Sequence, residues 1–184
     1  MKWIVLFSLC FSIFGDSLKI FKSPLNFNSS ITINNERGLV SSGDIFYRNG
    51  NFIYSLKLPS DQIIASDKKN IYVQDNDFNQ VMIYKNDNSF FLQDLLNNAY
   101  KTENFPCPDN CFKIKPDDNS SFKEALISRK DQSIDWIRVL DIKDERILIK
   151  FENFKVESSN ITYVIPNNYA VSYTHLTLPT ISCV

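Results

Sequence analysis

The amino-acid sequence predicts a mostly β fold with a few helices. Aromatic residues make up 14% of the 184 residues, with 15 Phe and 8 Tyr, which is typical of sheet-rich chains. Several segments alternate apolar and polar side chains with a period of two, as strands do. Short groups of Asp, Asn, Ser, Lys and Pro separate them, and such residues favour tight turns. Strands this close in sequence form an antiparallel meander.

The central strands are predicted in order from this alternation. Phe52, Tyr54, Leu56 and Leu58 share one face of the first strand, while the residues between them share the other. Shorter runs follow at residues 62–65, 70–74 and 80–84. Later runs at residues 134–139 and 147–152 alternate in the same way, and residues 161–165 form the last predicted strand, which ends at Pro166.

One helix is expected to interrupt the strands, at residues 89–99. The apolar residues that give it the i, i+3, i+4 stripe of an amphipathic helix are Phe91, Leu92, Leu95, Leu96 and Ala99. Asn88 is a suitable N-cap residue. A second, short helix is predicted at residues 17–23, and Pro24 would end it.

Residues 1–15 have the pattern of a secretory signal peptide. Lys2 provides a short positive region, an apolar run of about a dozen residues follows, and the small Gly15 ends it. Such a run is too short for a permanent membrane span, which needs roughly 20 residues. The alternative is a buried helix. Cys10 is not expected to be acylated, because Leu9 before it is not small and the cysteine lies inside the apolar run.

The other end of the chain carries an unusual string. VSYTHLTLPT, residues 171–180, resembles the translated read-through of a sequencing adapter, so residues 171–184 are interpreted as a non-native tail. The alternative is a native terminal strand. Between the two ends there is neither an internal repeat nor a linker, which predicts one domain at residues 16–170.

Composition excludes several classes of function. Twenty Lys and Arg residues against 21 Asp and Glu give a net charge of −1, without the basic stripe that nucleic-acid binding requires. With only four glycines, neither a dinucleotide-binding nor a Walker motif occurs. The only histidine, His175, lies in the suspected tail, which leaves the domain without imidazole for catalysis or metal binding. We therefore expect no enzyme activity, no cofactor and no metal.

Two cysteines remain in the domain, Cys107 and Cys111 of the string CPDNC. A cysteine pair in an exported protein most often forms a disulfide. A redox site would usually have the spacing C-x-x-C, and a structural zinc would need two more ligands.

Residues 42–84 resemble the LolA family of periplasmic outer-membrane lipoprotein carriers. The series SGDIFYRNGNFIYSLKLPSDQIIASDKKNIYVQDNDFNQVMIY follows the family order of a glycine-containing strand, an aromatic strand, a proline turn and a second aromatic strand. IPNNYAV at residues 165–171 matches a family phrase of the form I-P-x-x-x-x-V. The chain departs at Arg48-Asn49, where the family has Arg-Pro, and at residues 66–69, where it has Ser-Asp-Gly-Lys.

The resemblance implies an incomplete, unclosed antiparallel β-barrel covered by an α-helical lid. It also implies a periplasmic chaperone that holds lipoprotein acyl chains in a hydrophobic cavity. Its partners would be acylated lipoproteins, an inner-membrane ABC-type release complex and an outer-membrane acceptor, with the carrier itself a monomer.

The resemblance also implies roles for individual residues. The expected lipid-binding residues are Phe52, Tyr54, Leu56, Ile64, Phe91, Leu92 and Leu95. Arg48 is the expected latch, an arginine that bonds to the lid backbone and keeps the empty cavity closed. The alternatives are an ordinary sheet core for the strand residues, a simple cover for the helix residues and a surface charge for Arg48.

Three other classes of function compete with a carrier. A lipid-binding or sensor module could use the same half-barrel without transport, although the regulators of this kind carry an additional domain. An outer-membrane acceptor would need its own lipidated cysteine. A hydrolase without histidine would have to use carboxylates, and those at residues 75–77 and 117–118 have the pattern of solvated turns.

Overall fold

The computed structural model describes residues 26–67, 69–86, 91–97, 100–116, 120–131, 133–157 and 161–174. Within these ranges the chain forms twelve strands and one helix. The strands are β1 (Asn26–Asn35), β2 (Gly38–Arg48), β3 (Asn51–Leu58), β4 (Gln62–Ser66), β5 (Asn70–Asp75), β6 (Gln80–Lys85), β7 (Thr102–Phe105), β8 (Asn110–Ile114), β9 (Phe122–Lys130), β10 (Ser133–Asp141), β11 (Arg146–Val156) and β12 (Ala170–Tyr173). The helix α1 spans Phe91–Asn97.

All twelve strands belong to one sheet, in the order β12-β6-β5-β4-β3-β2-β1-β11-β10-β9-β8-β7. Neighbours pair antiparallel, except that β12 runs parallel to β6. The first strand in the chain, β1, joins two meanders by pairing with both β2 and β11. The edge strands β7 and β12 lie at opposite ends of this order, so the sheet is not closed into a barrel. The prediction of a mostly β, unclosed sheet is confirmed.

One face of the sheet, here called the inner face, carries the apolar core. Every second side chain of most strands is buried there, as the pattern of β3 shows with Phe52, Tyr54 and Leu56. A connected apolar cluster extends across the sheet from Ile71 on β5 to Ile114 on β8. Side chains that alternate with a period of two can form such a face only if the register between neighbouring strands is kept.

Several turns are fixed by short polar side chains. Asn49 and Gly50 form the two-residue β2–β3 turn with positive φ values of 47° and 86°, the combination for which Asn-Gly is the favoured hairpin sequence. In the β4–β5 turn, Asp67 Oδ1 accepts hydrogen bonds from the backbone N–H groups of Lys69 and Asn70. Burial alone would raise the pKa of Asp67, but these bonds and one from the Tyr72 hydroxyl outweigh it and lower that pKa.

The residues after β11 form a strand at a different place from the one predicted. The strand predicted at residues 161–165 is wrong, because residues 161–166 form no strand. Instead, β12 occupies the free edge of β6, where Ala170 N–H donates to Asn79 O at 2.9 Å and Thr174 N–H to Ile83 O at 2.9 Å. The pairing places the backbone of residues 170–173 beside β6. The non-native origin of residues 171–184 stays a prediction.

Only some of the residues that were predicted to be helical lie within the described ranges. The observed α1 lies inside the predicted range 89–99, whereas Asn88, Ala99, the predicted helix at 17–23 and the signal sequence at 1–15 lie outside the described residues. The α-helical lid stays a prediction. Among the described residues, no helix has the length and apolar character that a membrane crossing requires.

Candidate ligand-binding face

The four strand residues expected to bind lipid lie together on the inner face. Phe52, Tyr54 and Leu56 follow one another along β3 with exposures of 1%, 2% and 7%, and Ile64 of β4 pairs directly with Tyr54. All four belong to the connected apolar cluster. That these residues contact a lipid stays a prediction.

The helix α1 lies against the same face. Leu92 and Leu95 are almost fully buried in the cluster, and Leu96 packs against it while staying partly exposed. The side chain of Phe91 lies outside the described residues. Six of the seven predicted lipid-binding residues are therefore brought into one apolar surface.

Polar contacts attach α1 to the sheet at two places. Gln93 Nε2 donates to the Gly50 carbonyl at 2.8 Å, which ties the helix to the β2–β3 turn. Asp94 accepts from the Tyr100 hydroxyl at 2.6 Å and from the hydroxyl of Ser121 at 3.0 Å, which ties it to the start of β9. Within the described ranges, the buried Gln93 Oε1 atom has no hydrogen-bond partner. A buried acceptor of this kind makes the attachment of α1 less favourable.

Arg48 lies next to the turn that receives the helix. It is the last residue of β2, is half-buried, and pairs across the ladders with Asn51 of β3 and Asn26 of β1. The contact between α1 and this turn goes to Gly50, two residues further along. The latch role of Arg48 stays a prediction.

The wall formed by β2 and β3 also contains a buried polar pair. The hydroxyls of Ser41 and Tyr54 are 2.6 Å apart, and both side chains are buried. The aliphatic and aromatic surface around them is therefore interrupted by a satisfied hydrogen bond and not by an unpaired polar group.

Sequence reasoning missed a cluster of aromatic rings at one end of this face. Phe27 of β1 stacks on Tyr47 of β2 at 5.5 Å and on Phe154 of β11 at 4.6 Å, and Phe151 meets it edge-on at 6.0 Å. Burial raises the pKa of Tyr47, which keeps its hydroxyl neutral. The alternation of Phe27, Ile31 and Ile33 in β1 was a signal for an apolar face, but the Asn and Ser residues between them obscured it.

On the opposite face of β5, Tyr72 lies half-buried, with its ring 5.1 Å from that of Tyr163. The Tyr163 hydroxyl donates to Gln74 Oε1 at 2.8 Å. The stretch predicted as the last strand thus packs over β5 through a side chain.

The predicted cysteine pair is confirmed as a disulfide between Cys107 and Cys111. It spans the connection between β7 and β8 at the edge of the sheet, where Cys111 pairs with Phe105. Its ring is small, so it fixes this hairpin more than the whole fold.

Across the described ranges, no group of three or more His, Cys, Asp or Glu residues has the arrangement of a metal site. Open grooves among the described residues lie beside Arg138 and Arg146 and beside Asn28 and Asn153. The inner face is therefore the candidate functional site.

The structure has counterparts among solved proteins, although no protein-family model and no curated protein matches the sequence. An uncharacterised conserved protein from Thermus thermophilus aligns with a TM-score of 0.52 at 12% identity, over 86% of this chain and 93% of that one. A LolA superfamily protein from Nitrosomonas europaea aligns with a TM-score of 0.44 at 11% identity, over 79% of this chain and 91% of that one. The Thermus protein shares the fold of this chain. The TM-score of the Nitrosomonas protein is too low to show a shared fold.

Proposed function

We propose that this protein is a periplasmic carrier that binds the acyl chains of lipoproteins on the inner face of its sheet. It would receive them from an inner-membrane ABC-type release complex and deliver them to an outer-membrane acceptor. The proposal combines the sequence resemblance to the LolA family with one structural observation. That observation is the single apolar surface formed by β3, β4 and α1 on an unclosed sheet.

An unclosed sheet suits a ligand of variable bulk. Because β7 and β12 are not joined, the sheet can change its curvature without breaking the hydrogen bonds of a closed ladder. A triacylated lipoprotein has on the order of 45 methylenes, each worth about 0.8 kcal/mol when removed from water. Acyl chains therefore need a protein surface of this kind to cross an aqueous compartment.

The attachment of α1 is weak enough for such a ligand to displace it. Among the described residues, Gln93 donates to the Gly50 carbonyl, a bond with a net value of about 0.5–1.5 kcal/mol. The Tyr100 and Ser121 hydroxyls donate to the Asp94 carboxylate, and such bonds are worth about 1.5–3 kcal/mol each. The burial of several acyl methylenes equals this amount. Cargo can then replace Leu92 and Leu95 on the inner face, and the two leucines can return after delivery.

The direct experiment is mass spectrometry of lipids and lipoproteins that co-purify with the protein from the periplasm. Leu56→Glu should abolish their capture, because a carboxylate on the inner face is costly to desolvate. Ser55→Glu is the matched control, since it adds the same group one residue earlier on the other face of β3.

Four outcomes are informative. Capture by the wild type and by Ser55→Glu, with loss in a folded Leu56→Glu protein, supports the proposal. Equal capture by all three contradicts a lining role for Leu56. If the wild type carries no acylated molecule, the carrier function is wrong, and a Leu56→Glu protein that fails to fold indicates an ordinary core.

A further inference from the structure

The ladder between β1 and β11 contains a β-bulge. Asn28 pairs with Lys155 and Ser30 with Glu152, so that the single residue Ser29 lies opposite both Asn153 and Phe154. Asn153 has a φ of 54°, a left-handed conformation that Asn tolerates and β-branched residues avoid. Bulges of this kind occur often beside functional sites, where they redirect a side chain.

The bulge changes the face to which Phe154 points. The inward-facing residues of β11 before the bulge are Ile147, Ile149 and Phe151, so an uninterrupted strand would place Phe154 on the opposite face. With the extra residue, its ring stacks on Phe27 at 4.6 Å with an interplanar angle of 16°. Phe154 is therefore on the inner face only because of Asn153.

A buried hydroxyl supports this arrangement. Ser29 is 5% exposed, and its Oγ donates to the Glu152 carbonyl at 2.8 Å. This bond satisfies a backbone acceptor at the point where the ladder is interrupted. The bulge thus has a polar partner of its own and is a stable feature of the sheet.

Phe154 lies near the end of the inner face at which Gln93 of α1 bonds to the β2–β3 turn. Phe27 lies near the start of β1 and Tyr47 near the end of β2, both beside the β2–β3 turn to which Gln93 bonds. Phe27, Tyr47 and Phe151 are buried, whereas Phe154 packs against the cluster and keeps part of its ring exposed. A ring placed by a bulge, and still partly open to solvent, is available to a ligand.

We infer that Phe154 contacts the acyl chain of the ligand at the entrance of the inner face, and that Asn153 is its positioning residue. This inference rests on the proposed function and extends it to a residue outside the predicted set. The exposed part of the ring offers apolar area to a methylene chain, which slides along the stack of Phe154 and Phe27 as it enters.

The test uses a dipalmitoylated lipopeptide that carries a fluorophore on its peptide part. Phe154→Ala should weaken its binding by about tenfold. Phe46→Ala is the matched control, because Phe46 makes the same substitution possible on the opposite face of the sheet, where it is 37% exposed, and it should leave binding within about twofold. Asn153→Gly permits the same left-handed φ and should behave as wild type, whereas Asn153→Val should weaken binding as Phe154→Ala does.

A second measurement separates contact from a purely structural role. Replacement of Phe154 by the photoreactive analogue p-benzoylphenylalanine keeps an aromatic ring at this position. Illumination should cross-link the lipopeptide to position 154 and not to position 46 with the same replacement. A structural role alone would give no cross-link at either position.

The outcomes distinguish the inference from the proposed function. If the wild type binds the lipopeptide but Phe154→Ala binds equally well, or no cross-link forms at position 154, the role of Phe154 is wrong and the carrier proposal stands. If the wild type does not bind the lipopeptide, the proposed function fails, and the inference that depends on it fails as well.

Discussion

At the scale of single residues, the sheet depends on one glycine that allows two strands to approach closely. Gly43 of β2 pairs with Leu56 of β3 beside an irregularity in the register. A Cβ atom at Gly43 would lie 2.1 Å from the Ser55 carbonyl oxygen, and backbone atoms cannot move aside as a flexible side chain can. This glycine therefore fixes the distance between β2 and the strand that carries Phe52, Tyr54 and Leu56.

Gly43→Ala should destabilise the protein by about 2–4 kcal/mol, the range of severe single substitutions. The reason is the clash with the β3 backbone, which must shift and disturb the register of the candidate site. Denaturant unfolding of the variant measures this loss. Ser42→Ala, one residue earlier in β2, should change stability by less than about 0.5 kcal/mol, and an equal loss in both variants would contradict the steric explanation.

Single residues also show where prediction from sequence ends. The face to which Phe52, Tyr54 and Leu56 point was predictable, because alternation in one strand is a local property. The placement of Phe154 was not, since it depends on a bulge at which the paired residues are more than 120 positions apart. The conformation of Asn153 follows from that long-range register and not from its neighbours in sequence.

At the scale of elements, the helix α1 combines an apolar and a polar attachment. Leu92 and Leu95 bury apolar area, while Asp94 between them reaches Tyr100 and Ser121. The i, i+3 stripe predicted the buried side of this helix. The partners of Asp94 could not be predicted, because they come from the connections before β7 and β9, which only the fold brings close.

Asp94→Ala should loosen α1 by about 1–3 kcal/mol, because the hydroxyls of Tyr100 and Ser121 lose a buried acceptor. Hydrogen exchange of residues 91–97 should become faster, and the lipopeptide should bind faster because the inner face opens more often. Asp135→Ala, an exposed residue of β10, is the control. Unchanged exchange in Asp94→Ala would show that the leucines alone hold the helix.

The segment at residues 161–174 gives a prediction of pH dependence. Burial, together with the neighbouring Tyr169 and Tyr72, raises the pKa of Tyr163 to about 12. Below about pH 10, the ordinary value, folded and unfolded chains are both protonated and its contribution is complete. Between about pH 10 and 12 the unfolded chain loses its proton first, so stability falls as the pH rises.

Unfolding measured between pH 9 and 11 should therefore show a smaller alkaline loss of stability for Tyr163→Phe than for the wild type. Tyr173→Phe removes a tyrosine that is 76% exposed and should retain the wild-type slope. The same slope in all three proteins would mean that Tyr163 is not buried against β5. The segment itself illustrates a limit of periodicity, since alternation at residues 161–165 did not show that β12 takes the edge of β6.

At the scale of the whole molecule, the proposed carrier function places two requirements on one sheet. An extended apolar face would have to hold acyl chains and also release them, so the covered and open arrangements would need similar free energies. The long-range pairing of β1 with β11 extends the apolar face across the sheet, and Leu92 and Leu95 of α1 pack on it. The β2–β3 turn connects both, because Arg48 ends β2 and Gly50 accepts the bond from Gln93.

Arg48→Leu tests whether this turn controls release as the LolA resemblance implies. A charge-assisted latch would stabilise the closed form by about 1.5–3 kcal/mol, and re-forming it during delivery would help to expel the acyl chains. The variant should load lipopeptide as well as wild type but transfer a smaller fraction to acceptor membranes. Arg37→Leu, at the exposed β1–β2 turn beyond the other end of β2, makes the same substitution and should transfer normally. Equal transfer by both variants would identify Arg48 as a structural charge, whereas retention of cargo by Arg48→Leu alone would distinguish a carrier from a module that only binds lipid.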